Sequence, residues 1–174
     1  MDTRSPMAVI HPPGDKSTDF LASAYSGWPS MSVDAVGECL KAYMKRCRVV
    51  AMGHGSPAGL YDADYRNVLR SEHADALSFG IDNIYVWCYA SAFLDQHDLK
   101  GFATGMFISE LEEAWYMQVK TTAEQIEASN TMFVSILRRC LHLPARDIYR
   151  AMMNEYKITD NAVVDYNRER MVIR

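Results

Sequence analysis

The sequence predicts an α/β fold in which a mostly parallel sheet is covered by helices on both faces, as a three-layer sandwich. Apolar runs of strand length alternate with amphipathic segments of helical length along the chain. The strand candidates at 48–52 and 81–87 are mainly apolar, which is typical of strands buried on both faces. No repeat or linker divides the 174 residues, so we expect a single domain over residues 1–174.

The first part of the chain is predicted to contain three strands and two helices. Each strand is a short apolar run that ends at Gly or Pro, and each helix starts at a Ser, Thr or Asp cap. In order, we expect a strand at Met7–Ile10, a helix from Ser17 or Thr18 to Tyr25, a short strand at Met31–Val33, a helix at Asp34–Lys45 and a strand at Arg48–Met52.

The remaining part continues the alternation and ends in a run of helices. We expect a loop with a short helix at Tyr65–Ala76, a strand at Ile81–Trp87, a helix at Ser91–His97, a strand at Gly101–Phe107, and helices at Ser109–Met117, Ala123–Leu141 and Ala145–Tyr156. The segment Val163–Ile173 is predicted to be an edge strand or hairpin arm, whose charges at 168–170 protect it against pairing. A homodimer formed through this edge remains an alternative.

Composition and charge exclude several classes of protein. The net charge is −4 and the basic residues are scattered, so we expect no nucleic-acid partner. No apolar run approaches the ~20 residues that span a bilayer, and the N-terminus is not a signal peptide, so we expect no membrane association. The four cysteines are widely spaced without a Cys-x-x-Cys pair, so we expect neither disulfides nor a metal, no cofactor, and a cytoplasmic location.

Polar residues collect where the predicted strands end. In parallel sheets, sites gather beyond the carboxyl ends of the strands. Three segments follow strand ends, namely Asp15–Asp19, His54–Pro57 and Cys88–Ser91. If their strands pair, His54 and Cys88 are neighbours, and an imidazole beside a thiol can generate a nucleophile. The flexible backbone at Gly55 leaves its N–H free to face a developing oxyanion.

Two short motifs carry a resemblance to a known family. They are a strand ending in His-Gly, residues 49–55 (VVAMGHG), and a later strand ending in Cys, residues 84–88 (IYVWC). This pattern resembles the caspase-like cysteine peptidases, which include caspases, gingipains, clostripain, legumain and the bacterial CHAT-type proteases. The strand and helix that follow resemble the next unit of that fold, so that the similarity covers residues 47–117.

The resemblance implies a caspase-like fold and a peptide or protein substrate. It implies that Cys88 is the nucleophile, that His54 is the general acid and base, and that the N–H groups of Gly55 and Cys88 form the oxyanion hole. The chain departs from the pattern at Trp87, where Ala is common, and at residues 89–91, where a small residue or Gly is common. The strings at 54–60 and 104–110 also look like segments of small, uncharacterised bacterial and phage proteins.

Two alternatives of other classes remain open. On a flavodoxin-like or caspase-like scaffold, the same edge could bind a small anionic or nucleotide-like ligand without catalysis, as a phage protein that sequesters a signalling nucleotide would do. The residues predicted to contribute to such a site are Lys16, Ser17, Ser56, Tyr89, Ser91 and Glu110. The other alternative is an inactive caspase-like adaptor that acts through protein contacts.

Overall fold

A computed structural model describes residues 7–28, 30–31, 36–37, 47–80 and 82–174. The predicted helix at 34–45 lies outside these ranges except for Val36 and Gly37, which are helical, and Cys39 also lies outside them. The predicted strand at 31–33 lies mostly outside them; beside it, Ser30 forms an isolated parallel bridge with Val9.

The described residues form eight strands and six α-helices, with two short 3-10 helices. The strands are β1 (Met7–Ile10), β2 (Arg48–Met52), β3 (His54–Ser56), β4 (Gly59–Tyr61), β5 (Asn67–Leu69), β6 (Asn83–Val86), β7 (Gly101–Thr104) and β8 (Met171–Ile173). The helices are α1 (Ala74–Leu77), α2 (Ala90–His97), α3 (Leu111–Tyr116), α4 (Ala123–Cys140), α5 (Ala145–Glu155) and α6 (Ala162–Glu169), and the 3-10 helices are Asp19–Tyr25 and Ser71–His73.

The main sheet has five strands in the order β1-β2-β6-β7-β8. The first four run parallel, with Val9 opposite Val50 and Val50 opposite Ile84, and β8 pairs antiparallel with β7. The predicted mixed α/β fold with a mostly parallel sheet is therefore confirmed. None of the helices described by the structure is long and apolar enough to cross a membrane.

Apolar residues on both faces of this sheet are buried in two separate clusters. One joins Val50, Met52, Val86 and Phe102 to the 3-10 helix at 19–25 and to α4 and α5. The other joins Val49, Ala51, Tyr85 and Trp87 to α2 and to the strands β4 and β5. Burial on both faces explains why β2 and β6 are apolar at successive positions rather than at alternate ones.

The strands β3, β4 and β5 form a second, antiparallel sheet. These three strands were not predicted from the sequence. The sheet begins at His54, directly after β2, and Gly55 pairs with Leu60 across the hairpin. A β-carbon at Gly55 would overlap the ring of Trp87, so only glycine fits between the hairpin and the end of β6. The hairpin is thereby held against the carboxyl edge of the main sheet.

The C-terminal prediction is wrong for most of its length. Residues 163–173 were expected to form an edge strand or hairpin arm, but α6 occupies 162–169 and only β8 is extended. The side chain of Asn161 accepts hydrogen bonds from the N–H groups of Val163 (3.1 Å) and Val164 (3.3 Å), which starts the helix. β8 does form the edge of the sheet, as expected for the end of the segment.

The other predicted elements differ mainly at their ends. The strand at 101–107 stops at Thr104, and the helix expected at 109–117 is the shorter α3. The helices expected at 123–141 and 145–156 are confirmed as α4 and α5, each ending one residue earlier.

Candidate functional site

The strands β2 and β6 bring His54 and Cys88 to one edge of the sheet. Beyond their last paired residues, the N–H of Gly53 still donates to the carbonyl of Val86 at 3.0 Å, which ties the two strand ends together. His54 and Cys88 follow these ends and line the same cavity, of about 20 Å³. A volume of this size accommodates about one water molecule. The side chain of Glu113 closes the cavity on the side of α3.

The imidazole of His54 is oriented by the loop after β1. Its Nε2 lies 2.7 Å from the Ser17 hydroxyl and 3.1 Å from Oδ2 of Asp15. Asp15 also accepts hydrogen bonds from the hydroxyl (2.6 Å) and the N–H (3.0 Å) of Ser17. Burial opposes ionisation of Asp15, but the bonds from Ser17 and the nearby His54 lower the pKa of this carboxyl. The loop therefore holds an ionised carboxylate against the ring.

This Ser-His-Asp group is not arranged as a serine nucleophile would require. In such a triad the carboxylate binds one ring nitrogen and the serine binds the other. Here Asp15 and Ser17 both contact Nε2 of His54, and the serine hydroxyl lies within donating distance of the carboxylate. Ser17 therefore orients the imidazole together with Asp15.

The thiol of Cys88 faces acceptors on the loop and helix that follow β7. Its Sγ donates to the carbonyl of Phe107 and to Oε1 of Glu113, each at 3.4 Å. Burial raises the pKa of the Cys88 thiol to about 12, and the charge of Glu113 adds to this rise. Within the described residues, neither hydrogen-bond partner of Sγ is His54, and the resting thiol is protonated.

A turn of unusual backbone geometry places Cys88. The next residue, Tyr89, has φ of 65°, a left-handed conformation that glycine adopts more readily. The N–H of Tyr89 donates to the carbonyl of Gly105 at 3.0 Å, and α2 starts at Ala90. Tyr89 therefore takes this conformation without being a glycine.

Glu113 is held in place by the start of its own helix. Its Oε2 accepts hydrogen bonds from the N–H of Ser109 (2.7 Å), the hydroxyl of Ser109 (3.0 Å) and the N–H of Glu110 (3.3 Å). The sequence predicts Glu110, and not Glu113, as a residue of the site. The spacing of Glu110 and Glu113 is that of a capping box, in which the later side chain folds back over the start of the helix. That signal could have pointed to Glu113.

The other predicted residues are only partly brought together. Ser56 belongs to the hairpin, where its hydroxyl pairs with that of Tyr61 and its carbonyl accepts from the indole of Trp87 at 3.2 Å. Glu110 lies within electrostatic range of His54; burial and then the charge of Glu113 raise the pKa of Glu110, against the effect of His54. Lys16, Ser17, Ser56, Tyr89, Ser91 and Glu110 are not among the residues that line the cavity.

His11, a further candidate imidazole after β1, has a structural role. Its Nδ1 lies 2.8 Å from the hydroxyl of Tyr25 and its Nε2 lies 3.3 Å from the hydroxyl of Thr18. The ring is buried, and burial lowers its pKa. These contacts anchor the 3-10 helix and leave His54 as the imidazole of the site.

The charged groups around the cavity are mostly acidic. Glu113 lines it, and Asp15 and Glu110 lie within electrostatic range of His54, whereas Lys16 is exposed. In the described ranges, no group of three or more His, Cys, Asp or Glu side chains is placed to hold a metal ion. Comparisons of the chain with protein-family models, with curated proteins and with solved structures found no match.

Proposed function

We propose that the chain is a caspase-like cysteine hydrolase that cleaves peptide or protein substrates through Cys88 and His54. One observation carries the proposal: the two residues follow adjacent, directly paired parallel strands and line one cavity. A random cysteine and histidine would rarely share such a place at the edge of a sheet where sites gather. We include in the proposal a cytoplasmic location, where a free thiol stays reduced.

The order of the strands is compatible with this type of fold. The His-Gly pair follows β2, the cysteine follows the neighbouring β6, and β7 with α3 forms the next unit in both chain and sheet. These are the units on which the sequence resemblance rests. The three-layer, caspase-like arrangement is therefore preferred over a flavodoxin-like one, as part of the proposal.

In the proposed reaction, every proton is transferred through one imidazole. His54 takes the thiol proton, and the sulfur of Cys88 forms a bond to the substrate carbonyl carbon. His54 then gives that proton to the leaving amine as the carbon–nitrogen bond breaks, which leaves a thioester on Cys88. In the second half of the reaction, His54 takes a proton from water, the water oxygen bonds to the thioester carbon, the carbon–sulfur bond breaks, and His54 returns the proton to the sulfur of Cys88. The N–H groups of Gly55 and Cys88 are proposed to stabilise the oxyanion.

A peptide library with a mass-spectrometric readout tests this function and requires no defined substrate. We expect the wild-type chain to cut a set of peptides that Cys88→Ala and His54→Ala leave intact. Cys140→Ala removes a buried thiol on α4 and is the matched control, which should cut like wild type. Cutting that persists in Cys88→Ala would refute the assignment.

The second candidate is an inactive caspase-like adaptor, and the contacts of Cys88 favour it. A thiol with a pKa of about 12 that donates to Glu113 is a poor nucleophile, and the cavity has little room for a substrate. An adaptor would leave the entire library uncut. A non-catalytic site for a small anion is less well supported, because the carboxylates of Asp15, Glu110 and Glu113 would repel it.

A further inference from the structure

The thiol of Cys88 is directed at two hydrogen-bond acceptors. Sγ lies 3.4 Å from the carbonyl of Phe107 and 3.4 Å from Oε1 of Glu113. Neither group can donate to sulfur, so this position suits a thiol and not a thiolate. The geometry is therefore that of a nucleophile stored in its protonated form.

The carboxylate that faces the sulfur has little freedom to turn away. Its other oxygen, Oε2, accepts three hydrogen bonds from Ser109 and Glu110, between 2.7 and 3.3 Å. These bonds fix the side chain of Glu113 and leave Oε1 directed at the thiol. A residue needed only as a helix cap would not have to present its second oxygen to a half-buried cysteine.

We propose that Glu113 is a positioning residue that holds Cys88 as a protonated hydrogen-bond donor, and that the thiol must leave Glu113 before it can attack a substrate. This inference rests on the proposed hydrolase and specifies how its site is regulated. It also reconciles a catalytic pair that follows adjacent strands with a thiol whose hydrogen bonds go to Phe107 and Glu113 and not to the imidazole.

Besides Glu113, two other titratable groups near the sulfur bear on its protonation, namely Glu110 and His54. The charge of Glu110 also disfavours a negative charge on Cys88. His54, across the cavity, is the group that can take a proton. Rotation of the Cys88 side chain would break both bonds of Sγ, and the thiol proton would then pass to the imidazole held by Asp15.

Alkylation of Cys88 by iodoacetamide at a series of pH values tests the inference, because only the thiolate reacts. Peptide mass spectrometry follows the rate at Cys88 and at Cys140 separately in the full chain. In Glu113→Gln the amide oxygen can still accept from Ser109, and the amide N–H then faces the sulfur. Ser109→Ala is the matched control, since it removes a bond to the carboxylate but keeps its charge.

We expect Glu113→Gln to lower the pH at half-maximal rate by about one unit and to raise the rate at pH 8 about tenfold. Ser109→Ala should stay within about threefold of wild type. An unchanged rate in Glu113→Gln, or an equal rise in Ser109→Ala, overturns the inference. Cys140 reports general opening of the fold and should react at its wild-type rate.

A second variant keeps the test decisive if Glu113→Gln is unstable, which a rise at Cys140 would reveal. Glu113→Asp keeps the charge for the start of α3 but withdraws the carboxylate from Sγ by one methylene. We expect Cys88 to react faster than in wild type, and no acceleration would contradict the inference. Failure of the hydrolase itself would appear differently: the peptide library would stay uncut, while the Glu113 variants would still accelerate the alkylation of Cys88.

Discussion

Asn167 joins α6 to the segment that supports the thiol, and its replacement makes a quantitative prediction. Its Oδ1 accepts from the N–H of Ile108 at 2.7 Å, and its Nδ2 donates to the carbonyl of Ile108 at 2.9 Å. The side chain is 1% exposed, and Nδ2 also lies 3.3 Å from the hydroxyl of Tyr156. Asn167→Ala would leave both buried backbone groups of Ile108 without a partner.

Each unsatisfied buried group costs about 1–3 kcal/mol, so we expect a total loss of about 3 kcal/mol in the free energy of unfolding. Urea unfolding measures it, provided that the slope stays constant. Because Ile108 follows Phe107, whose carbonyl accepts from the thiol, we also expect faster alkylation of Cys88 under native conditions. A control, Asn154→Ala on the exposed side of α5, should change stability by less than about 0.5 kcal/mol. A loss below about 1 kcal/mol for Asn167→Ala would show that Ile108 finds other partners.

Three further substitutions test the fold and its response to pH. Gly55→Ala should destabilise by about 1–3 kcal/mol, because the new methyl group overlaps Trp87; unchanged urea unfolding would mean that the hairpin is not packed so closely. Asn83→Ala should cost about 2–4 kcal/mol, since its fully buried amide accepts from the N–H of Val49 at 2.9 Å; a differential scanning calorimetry shift near zero would contradict this. Burial lowers the pKa of His11 below 6.5, so the folded chain binds fewer protons than the unfolded chain, and stability should fall as pH drops below 6.5. His11→Gln should flatten that part of the profile, and an equally steep loss in the variant would assign it to other groups.

The sequence predicts elements well where a pattern is long. α4 and α5 have apolar residues at helical spacing over many turns, and β2 and β6 are uninterrupted apolar runs. The three-residue strands β3, β4 and β5 are too short to carry any periodicity, and they were expected to be a turn and a loop. The prediction for 163–173 was wrong because the few apolar residues of this segment fit both a strand and a helix. The cap at Asn161 decides between them.

The candidate site was also predictable from the sequence only in part. The neighbourhood of His54 and Cys88 follows from a topological rule, and the structure places both on one cavity. The contact of Asp15 with His54 could not be predicted, because it depends on how a loop directs single side chains, and the capping-box spacing indicates how Glu113 folds over its own helix but not that it meets the thiol. Sequence spacing fixes which edge of the sheet a residue occupies, but not which atom its thiol or imidazole faces.

The two proposed functions differ in what they require of the contact between Cys88 and Glu113 of the short helix α3. A helix of six residues is marginal by itself, and the bonds from Ser109 and Glu110 to Glu113 help to hold its first turn. The same carboxylate holds the thiol, so any movement of α3 that breaks one set of bonds disturbs the other. In an adaptor the contact would be permanent, and Cys88 would react slowly in every state of the folded chain. In a hydrolase the contact must break when a substrate binds over Cys88, so peptides that the wild-type chain cuts should slow the alkylation of Cys88 in His54→Ala, where they bind without being consumed.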